Sequence, residues 1–351
     1  MLFSARRNLV FPFLGVGVSL FASLILIESA YRLQIVDFYR PELTAFNSDA
    51  DLHDSLQKPT LLVFGDSFSA GNESYVNILR TQLPCLRIIN SSISGSGIVQ
   101  ASLIAKSRIQ QFRPSILMVQ IYVGNDLFDI TYPTNWKTLS LIRNVYWGSS
   151  NHFRSLAFLN YRLGQLNART LATGYRPYQP QESFYPSREE FSPDKFQNNE
   201  KLFLRADPRL VGKEILVLGD RTSDFDFLVS KLQWLNSIKE PSCTLYLLVI
   251  PHACQVSQAY LDRTKKLGAV FENESVIRQD EYPFVQKLRQ RVKGAMILDP
   301  LRAFKEMERS GTFLYMPNDI HLNSNGNEVL ASYVSAVLKT DHQRAECAFR
   351  K

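Results

Sequence analysis

Short runs of β-forming residues alternate along most of the chain with amphipathic segments, and this alternation constrains the fold more than any other feature. The β-type runs lie at 60–64, 86–92, 115–123, 244–250 and 295–298. The amphipathic segments lie near 74–83, 99–112, 224–238, 281–293 and 324–338. The runs read as strands buried on both faces. The pattern therefore predicts an α/β domain with a parallel sheet covered by helices on both sides, which binds ligands at the carboxyl ends of its strands.

An uncharged stretch at 8–27 is long enough for a helix that crosses the hydrocarbon layer of a membrane. Arg6 and Arg7 precede it, and Glu28 and Arg32 follow it. This charge distribution predicts a single-pass anchor that contacts the bilayer through 8–27, with a cytoplasmic N-terminus and an extracytoplasmic remainder, either periplasmic or extracellular. A cleaved secretory signal and a buried core helix are the alternatives.

Composition excludes several other classes of protein. Apolar residues make up 45% of the chain and charged residues 21%, which indicates a globular protein rather than a disordered one. The net charge of +7 comes from Lys and Arg residues that are scattered along the chain, so no nucleic-acid partner is predicted.

The cysteines and isolated histidines give no indication of a metal site. The spacing of the cysteines fits no zinc template, and both free thiols and disulfides remain open. They are Cys85, Cys243, Cys254 and Cys347. His53 and His152 have no companions that suggest a metal. We therefore predict neither a metal nor a cofactor.

The alternation stops between about 131 and 213, where the sequence is rich in Tyr, Pro, Gln, Ser and Arg. This segment is predicted to be an insertion after the third strand, either a solvated loop or a lid that faces the substrate. The predicted domain organisation is a cytoplasmic stub and anchor, a juxtamembrane linker, a domain that contains the insertion, and a C-terminal tail. Their bounds are 1–32, 33–58, 59–340 and 341–351.

The first predicted strand runs into Gly65-Asp66-Ser67, where the chain must turn. A serine at such a strand-to-helix turn has its hydroxyl exposed at the carboxyl end of the strand, close to the first N–H groups of the next helix. On its own this is weak evidence for a nucleophile, because an N-cap serine is the commoner explanation.

Three further motifs follow predicted strands or precede the last helix, and they strengthen the interpretation. Gly95 lies in "SISGSG" after the second strand, and Gly124 and Asn125 follow the third. Asp319 and His321 lie in a loop before the last helix. A serine, a base, a carboxylate and oxyanion donors are thus predicted at one edge of one sheet.

These four motifs, in this order, resemble the blocks of the SGNH or GDSL-type hydrolases. The resemblance implies a flavodoxin-like three-layer α/β/α sandwich with a central parallel sheet. It also implies a serine esterase mechanism in which Ser67 is the nucleophile, His321 the base and Asp319 the orienting acid. The oxyanion would be met by the backbone N–H groups of Ser67 and Gly95 and by the side chain of Asn125.

One position departs from the family's commonest pattern. Many members place the acid three residues before the histidine, where this chain has Asn318. Asp319, two residues before the histidine, is assigned the orienting role, as in the Asp-x-His block of the related polysaccharide acetyltransferases. A dyad assisted by Asn318 or by a backbone carbonyl is the alternative.

Three further positions have residue types that also occur in active sites, and each is interpreted as structural. A second Gly-Asp pair, in "EILVLGDRTSD", has Arg221 in place of the nucleophile and is interpreted as a strand-to-turn piece. His252 follows the fourth strand and is interpreted as structural, with a place in the substrate pocket as the alternative. Asp299 follows the fifth strand and is expected to cap a helix.

The predicted function is that of an anchored, extracytoplasmic serine esterase that acts on an ester-bearing small molecule or glycan, such as an O-acylated glycan or envelope component. An O-acyltransferase would use the same residues and differ only in what reaches the acyl-enzyme. A binding module that has lost turnover is the alternative from another class of protein.

Overall fold

The computed structural model of the protein describes residues 2–33, 35–53, 58–71, 73–131, 190–196 and 198–342, together with a few positions between 149 and 159. Most of the predicted insertion lies outside the described residues, as do His152 and Cys347.

Five parallel strands form one sheet, and they coincide with the five predicted runs. They are β1 (Thr60–Phe64), β2 (Arg87–Asn90), β3 (Ile116–Tyr122), β4 (Thr244–Ile250) and β5 (Ala295–Leu298). Their order across the sheet is β2-β1-β3-β4-β5, with every pair parallel. This is the flavodoxin-like order, so the predicted fold class is confirmed.

The sheet is buried at its centre and exposed at one edge. Every residue of β1 and β3 is buried, as expected for strands covered on both faces. The prediction of burial on both faces is wrong for β5, where Met296 is 41% exposed. The reason is position, because β5 pairs with β4 alone and lies at the end of the sheet.

The helices include all five amphipathic segments. The described helices are α1 (Leu2–Arg32), α2 (Arg40–Ala45), α3 (Asp49–His53), α4 (Tyr75–Gln82), α5 (Ile98–Phe112), α6 (Asp126–Thr131), α7 (Asn198–Ala206), α8 (Leu210–Leu216), α9 (Arg221–Ile238), α10 (Ala253–Val256), α11 (Gln258–Lys266), α12 (Glu274–Ile277), α13 (Pro283–Arg291), α14 (Leu301–Arg309) and α15 (Ser324–His342). Helix α4 packs against β2 and α15, whereas α5 packs against β1 and α9. Helix α13 packs against β5.

Helix α1 is long and apolar enough to cross a membrane over Gly15–Arg32, by length and composition. Its large apolar side chains from Val16 to Ile27 are exposed, with Phe21 at 66% and Leu26 at 70%. A core helix would bury such side chains, so the interpretation of this segment as a core helix is wrong. Its last turn is covered, where Glu28 accepts a hydrogen bond from the Ser155 N–H at 2.8 Å.

Two regions differ from their expected local structure. The segment predicted as a juxtamembrane linker contains α2 and α3, and it buries Tyr39 and Leu43 in the core. The prediction of a strand-to-turn piece before Arg221 is wrong, because Leu210–Leu216 is the helix α8. A short apolar run that is buried looks the same in sequence whether it forms a strand or a helix.

Candidate active site

The turn after β1 places Ser67 at the carboxyl edge of the sheet. Strand β1 ends at Phe64 opposite Val119, so β3 continues beside the turn. A side chain at Gly65 would put its Cβ 2.4 Å from the Gln120 Oε1 atom, which explains the glycine. The Asp66 N–H donates to that same oxygen at 3.0 Å. The turn is therefore fixed against β3 before the chain reaches the serine.

Ser67, His321 and Asp319 form a continuous hydrogen-bonded line. The His321 Nε2 atom lies 2.7 Å from the Ser67 Oγ atom, and the His321 Nδ1 atom lies 2.7 Å from the Asp319 Oδ1 atom. A carboxylate can only accept, so Nδ1 carries the proton and Nε2 is free to accept the proton of the serine hydroxyl. The structure thus brings the three predicted residues together in the order that the resemblance implied.

The electrostatics of this line favour a proton on the imidazole. Burial alone lowers the pKa of His321, but the charge of Asp319 and its hydrogen bond raise it. Asp66 and Glu200 add smaller effects in the same direction, and the pKa stands above its ordinary value of 6.5. Both side chains of the pair are largely buried, with 18% of His321 and 11% of Asp319 exposed.

The three groups predicted to donate to an oxyanion lie after β1, β2 and β3. Gly95 has a φ of +71°, a left-handed conformation that favours glycine. Within the described residues, neither the Ser67 nor the Gly95 backbone N–H has an acceptor in the chain. Asn125 comes directly after Gly124. A Cβ at Gly124 would lie 2.4 Å from the ring of Tyr122, which explains the glycine.

Asn318 does not contact the imidazole through its side chain. Its Oδ1 atom accepts a hydrogen bond from the Ser192 N–H at 2.8 Å, and its Nδ2 atom donates to the Glu190 carbonyl at 3.2 Å. The side chain therefore attaches residues 190–192 of the predicted insertion to the loop that carries Asp319 and His321.

His252 lies at the same edge of the sheet but is 3% exposed. Its Nδ1 atom accepts a hydrogen bond from the Cys254 N–H at 3.1 Å, and its Nε2 atom lies 3.3 Å from Glu200 on α7. Its ring stacks on Tyr122 at 6.0 Å between centroids. This environment supports the structural interpretation of His252. Asp299 accepts a hydrogen bond from the Leu301 N–H at 3.0 Å, at the start of α14.

A group of buried charged residues beneath the site was missed by sequence reasoning. Its members are Asp66, Asp126, Glu214, Arg221 and Asp224, with the partly exposed Asp129 beside them. Asp129 accepts a hydrogen bond from the Asn125 Nδ2 atom at 2.7 Å. A partial signal was present, because Asn125 and Asp129 have the i, i+4 spacing of side chains that meet on a helix. In the described part of the chain, no group of His, Cys, Asp and Glu is suited to a metal, and Cys85, Cys243 and Cys254 are free thiols.

Three of the predicted blocks follow β1, β2 and β3 of a sheet with the order β2-β1-β3-β4-β5, and the histidine block contacts the serine block. The chain has a flavodoxin-like fold with a central parallel sheet. This fold places the serine turn after β1 and the Asn125 block after β3. The histidine loop precedes α15.

Comparisons with known proteins give matches among solved structures alone. No family model and no curated protein matches the chain. TesA is 13% identical, with 80% of this chain and 98% of TesA covered and a TM-score of 0.37. The acetyl xylan esterase AlAXEase is 10% identical, with 80% and 99% covered and a TM-score of 0.42. A lipase/acylhydrolase from Enterococcus faecalis is 10% identical, with 81% and 96% covered and a TM-score of 0.39. The names of these structures describe the activities of those proteins.

Proposed function

We propose that this protein is a membrane-anchored, extracytoplasmic serine esterase that acts through an acyl-enzyme on an ester-bearing substrate, such as an O-acylated glycan or envelope component. The observation that carries the proposal is the line from Ser67 Oγ through the imidazole of His321 to Asp319, with 2.7 Å at each step. A serine and a histidine at this distance can exchange a proton, and the carboxylate fixes the tautomer that makes the exchange productive.

The first half of the reaction forms the acyl-enzyme. The Ser67 Oγ atom attacks the ester carbonyl carbon while His321 Nε2 takes the hydroxyl proton. Asp319 stabilises the imidazolium that results. When the tetrahedral intermediate collapses, the C–O bond to the leaving alcohol breaks and His321 returns the proton to that oxygen. In the second half, water attacks the acyl carbon while His321 takes a proton from it. The bond from that carbon to Ser67 Oγ then breaks, His321 returns the proton to Oγ, and the acid leaves.

The developing oxyanion is met by the backbone N–H groups of Ser67 and Gly95 and by the Asn125 amide. The two backbone donors support this role because they have no acceptor among the described residues. Fixed donors of this kind stabilise the transition state by about 3–4 kcal/mol each, as judged from the effect of removing one.

Two observations support the proposed location and substrate. Helix α1 exposes its apolar side chains over Gly15–Arg32, and the basic residues Arg6 and Arg7 precede this stretch. That arrangement favours a cytoplasmic N-terminus. Asn318 bonds residues 190–192 to the loop that carries His321, so this part of the insertion lies beside the site, where it can contact a glycan.

The test uses the full-length protein in detergent micelles and a fluorophosphonate probe that reacts with activated serines. Wild type should be labelled, and Ser67→Ala should remain unlabelled with an unchanged melting temperature. Ser69→Ala is a matched control, because Ser69 is buried and bonded to Tyr75 and Gln120. Equal labelling of wild type and Ser67→Ala would remove Ser67 from the mechanism. Incubation with acylated glycans then measures released acid against transferred acyl groups.

A further inference from the structure

The amide of Asn125 is oriented by one hydrogen bond. Its Nδ2 atom donates to the Asp129 Oδ2 atom at 2.7 Å. Its Oδ1 atom is buried and has no hydrogen-bond partner among the described residues. A buried amide oxygen without a donor is unfavourable. Because Oδ1 has no partner in the described part of the chain, the bond from Nδ2 to Asp129 is what holds the amide in this orientation.

The protonation state of Asp129 decides which atom of the amide can face it. An ionised carboxylate only accepts hydrogen bonds, so it requires Nδ2 on its side. An NH₂ group has two N–H bonds, and the second is then left for an oxyanion. A protonated carboxyl group can donate, and it can satisfy the otherwise unpaired Oδ1 atom if the amide rotates by half a turn.

The surroundings of Asp129 contain charges from four elements. Asp66 belongs to the turn after β1, Asp126 to α6, Glu214 to α8, and both Arg221 and Asp224 to α9. Arg221 contacts Asp224 at 3.1 Å and Glu214 at 3.5 Å, and its guanidinium lies 5.7 Å from the ring centre of Phe128. Acids therefore outnumber the one cation of this group, and ionisation of Asp129 is opposed by its neighbours.

Burial and the charge of Asp66 raise the pKa of Asp129 to about 7, although Arg221 acts to lower it. This value lies close to the ordinary working range of an enzyme. Because the pKa is raised, the carboxylate is ionised above about pH 7 and protonated below it.

We propose that Asp129 is a positioning residue that acts through Asn125: its ionised carboxylate holds the amide with one N–H toward the oxyanion, and protonation releases the amide and switches the esterase off. The proposal rests on the proposed esterase function and adds an acid-sensitive control to the same site. Arg221, which sequence reasoning set aside, helps to keep the switch in its active state.

A double-mutant cycle separates this role from a merely structural one. Asn125→Ala should lower kcat by about 10²–10³-fold, as for the loss of one oxyanion donor. Asp129→Asn should lower kcat by roughly tenfold or more. Because Asp129 acts only through Asn125, the double variant should match Asn125→Ala within about twofold. Asp226→Asn, an exposed change on α9, is the control and should leave kcat unchanged.

The pH profile gives a second measurement that leaves Asp129 in place. Protonation of His321 and of Asp129 both lower the activity, so each adds one unit to the slope of log kcat/KM in acid. The acid limb of Asn125→Ala should be one unit less steep than that of wild type, because the proton on Asp129 no longer matters without the amide. This comparison stands even if Asp129→Asn does not fold.

The outcomes distinguish the two proposals. An inactive wild type that fails to label with the fluorophosphonate contradicts the esterase function itself. The positioning role alone is overturned if wild type is active and Asp129→Asn lowers kcat by the same factor in the Asn125→Ala background as in wild type. An acid limb of equal slope in wild type and Asn125→Ala overturns it as well. Coupled kinetics together with the shallower limb support it.

Discussion

Removal of the negative charge from Asp319 should slow turnover strongly. It should also move the acid limb of the pH profile to lower pH. Asp319→Asn keeps the size of the side chain but replaces the ion pair that forms with the imidazolium. Loss of one partner of a largely buried charged pair costs about 3–5 kcal/mol. At 1.36 kcal/mol per factor of ten, kcat should fall by roughly 10²–10⁴-fold. KM should change little, because the ion pair forms in the transition state.

The pH dependence follows from the balance at His321. Burial lowers the pKa of His321 and Asp319 raises it. The pKa of His321 should therefore be lower in Asp319→Asn than in wild type. The base must be neutral to act, and activity is lost as the pH falls through its pKa. The acid limb of Asp319→Asn should therefore lie at lower pH than that of wild type, even though the plateau is lower.

Steady-state hydrolysis of a small chromogenic ester from pH 5 to 9 would measure both effects, with melting temperature as the folding check. Asn318→Ala is the matched control, because its side chain contacts Ser192 and Glu190 and not the imidazole. It should lose less than about tenfold in kcat, the order of one neutral hydrogen bond. Normal turnover by Asp319→Asn together with a crippled Asn318→Ala would refute the assignment.

Three further predictions concern stability and topology. Gly65→Ala should lower the melting temperature strongly, because its Cβ would lie 2.4 Å from Gln120 Oε1. Gly97→Ala has no atom within 4 Å of the added carbon and should lower it less, by the cost of a poorer N-cap for α5. Equal melting temperatures would contradict the close packing. Asp299→Asn should raise the melting temperature by a few degrees at pH 8 and change it little near pH 4. Burial raises the pKa of Asp299 to about 7, so its ionisation between pH 4 and pH 8 lowers the stability of the folded state. An Asp299→Asn variant that is less stable than wild type at pH 8 would contradict this prediction. A protease added outside intact cells should digest most of the chain and leave 1–7 protected, and a soluble mature protein that begins near Tyr31 would contradict the anchor.

The sheet could be predicted from sequence because its strands carry strong local signals. Strands β1, β4 and β5 begin and end where the apolar runs do, and β2 and β3 differ by two residues or fewer at each end. The positions of Ser67, Gly95 and Asn125 followed from that, since each comes directly after a strand. A parallel sheet brings such positions to one edge, whatever the order of its strands.

The contacts among side chains could not be predicted in the same way. The acids around Arg221 come from α6, α8 and α9, and their meeting depends on how those helices pack. Nothing in the sequence near Arg221 distinguishes a buried guanidinium from an exposed one. The choice between Asp319 and Asn318 as the partner of His321 also depended on the loop conformation, which one residue of spacing does not decide.

The junction between α1 and the globular part of the protein has a consequence for how substrates are reached. Glu28 and Tyr31, both within α1, are only 8% and 6% exposed, and Tyr39 is buried seven residues after Arg32. A free tether of seven residues would extend about 25 Å, but these contacts remove that slack. With α1 in a bilayer, Ser67 would stay at one height above the lipid and reach only the layer at that height. Such an enzyme would select polymers by how far their ester groups stand from the membrane as well as by their chemistry.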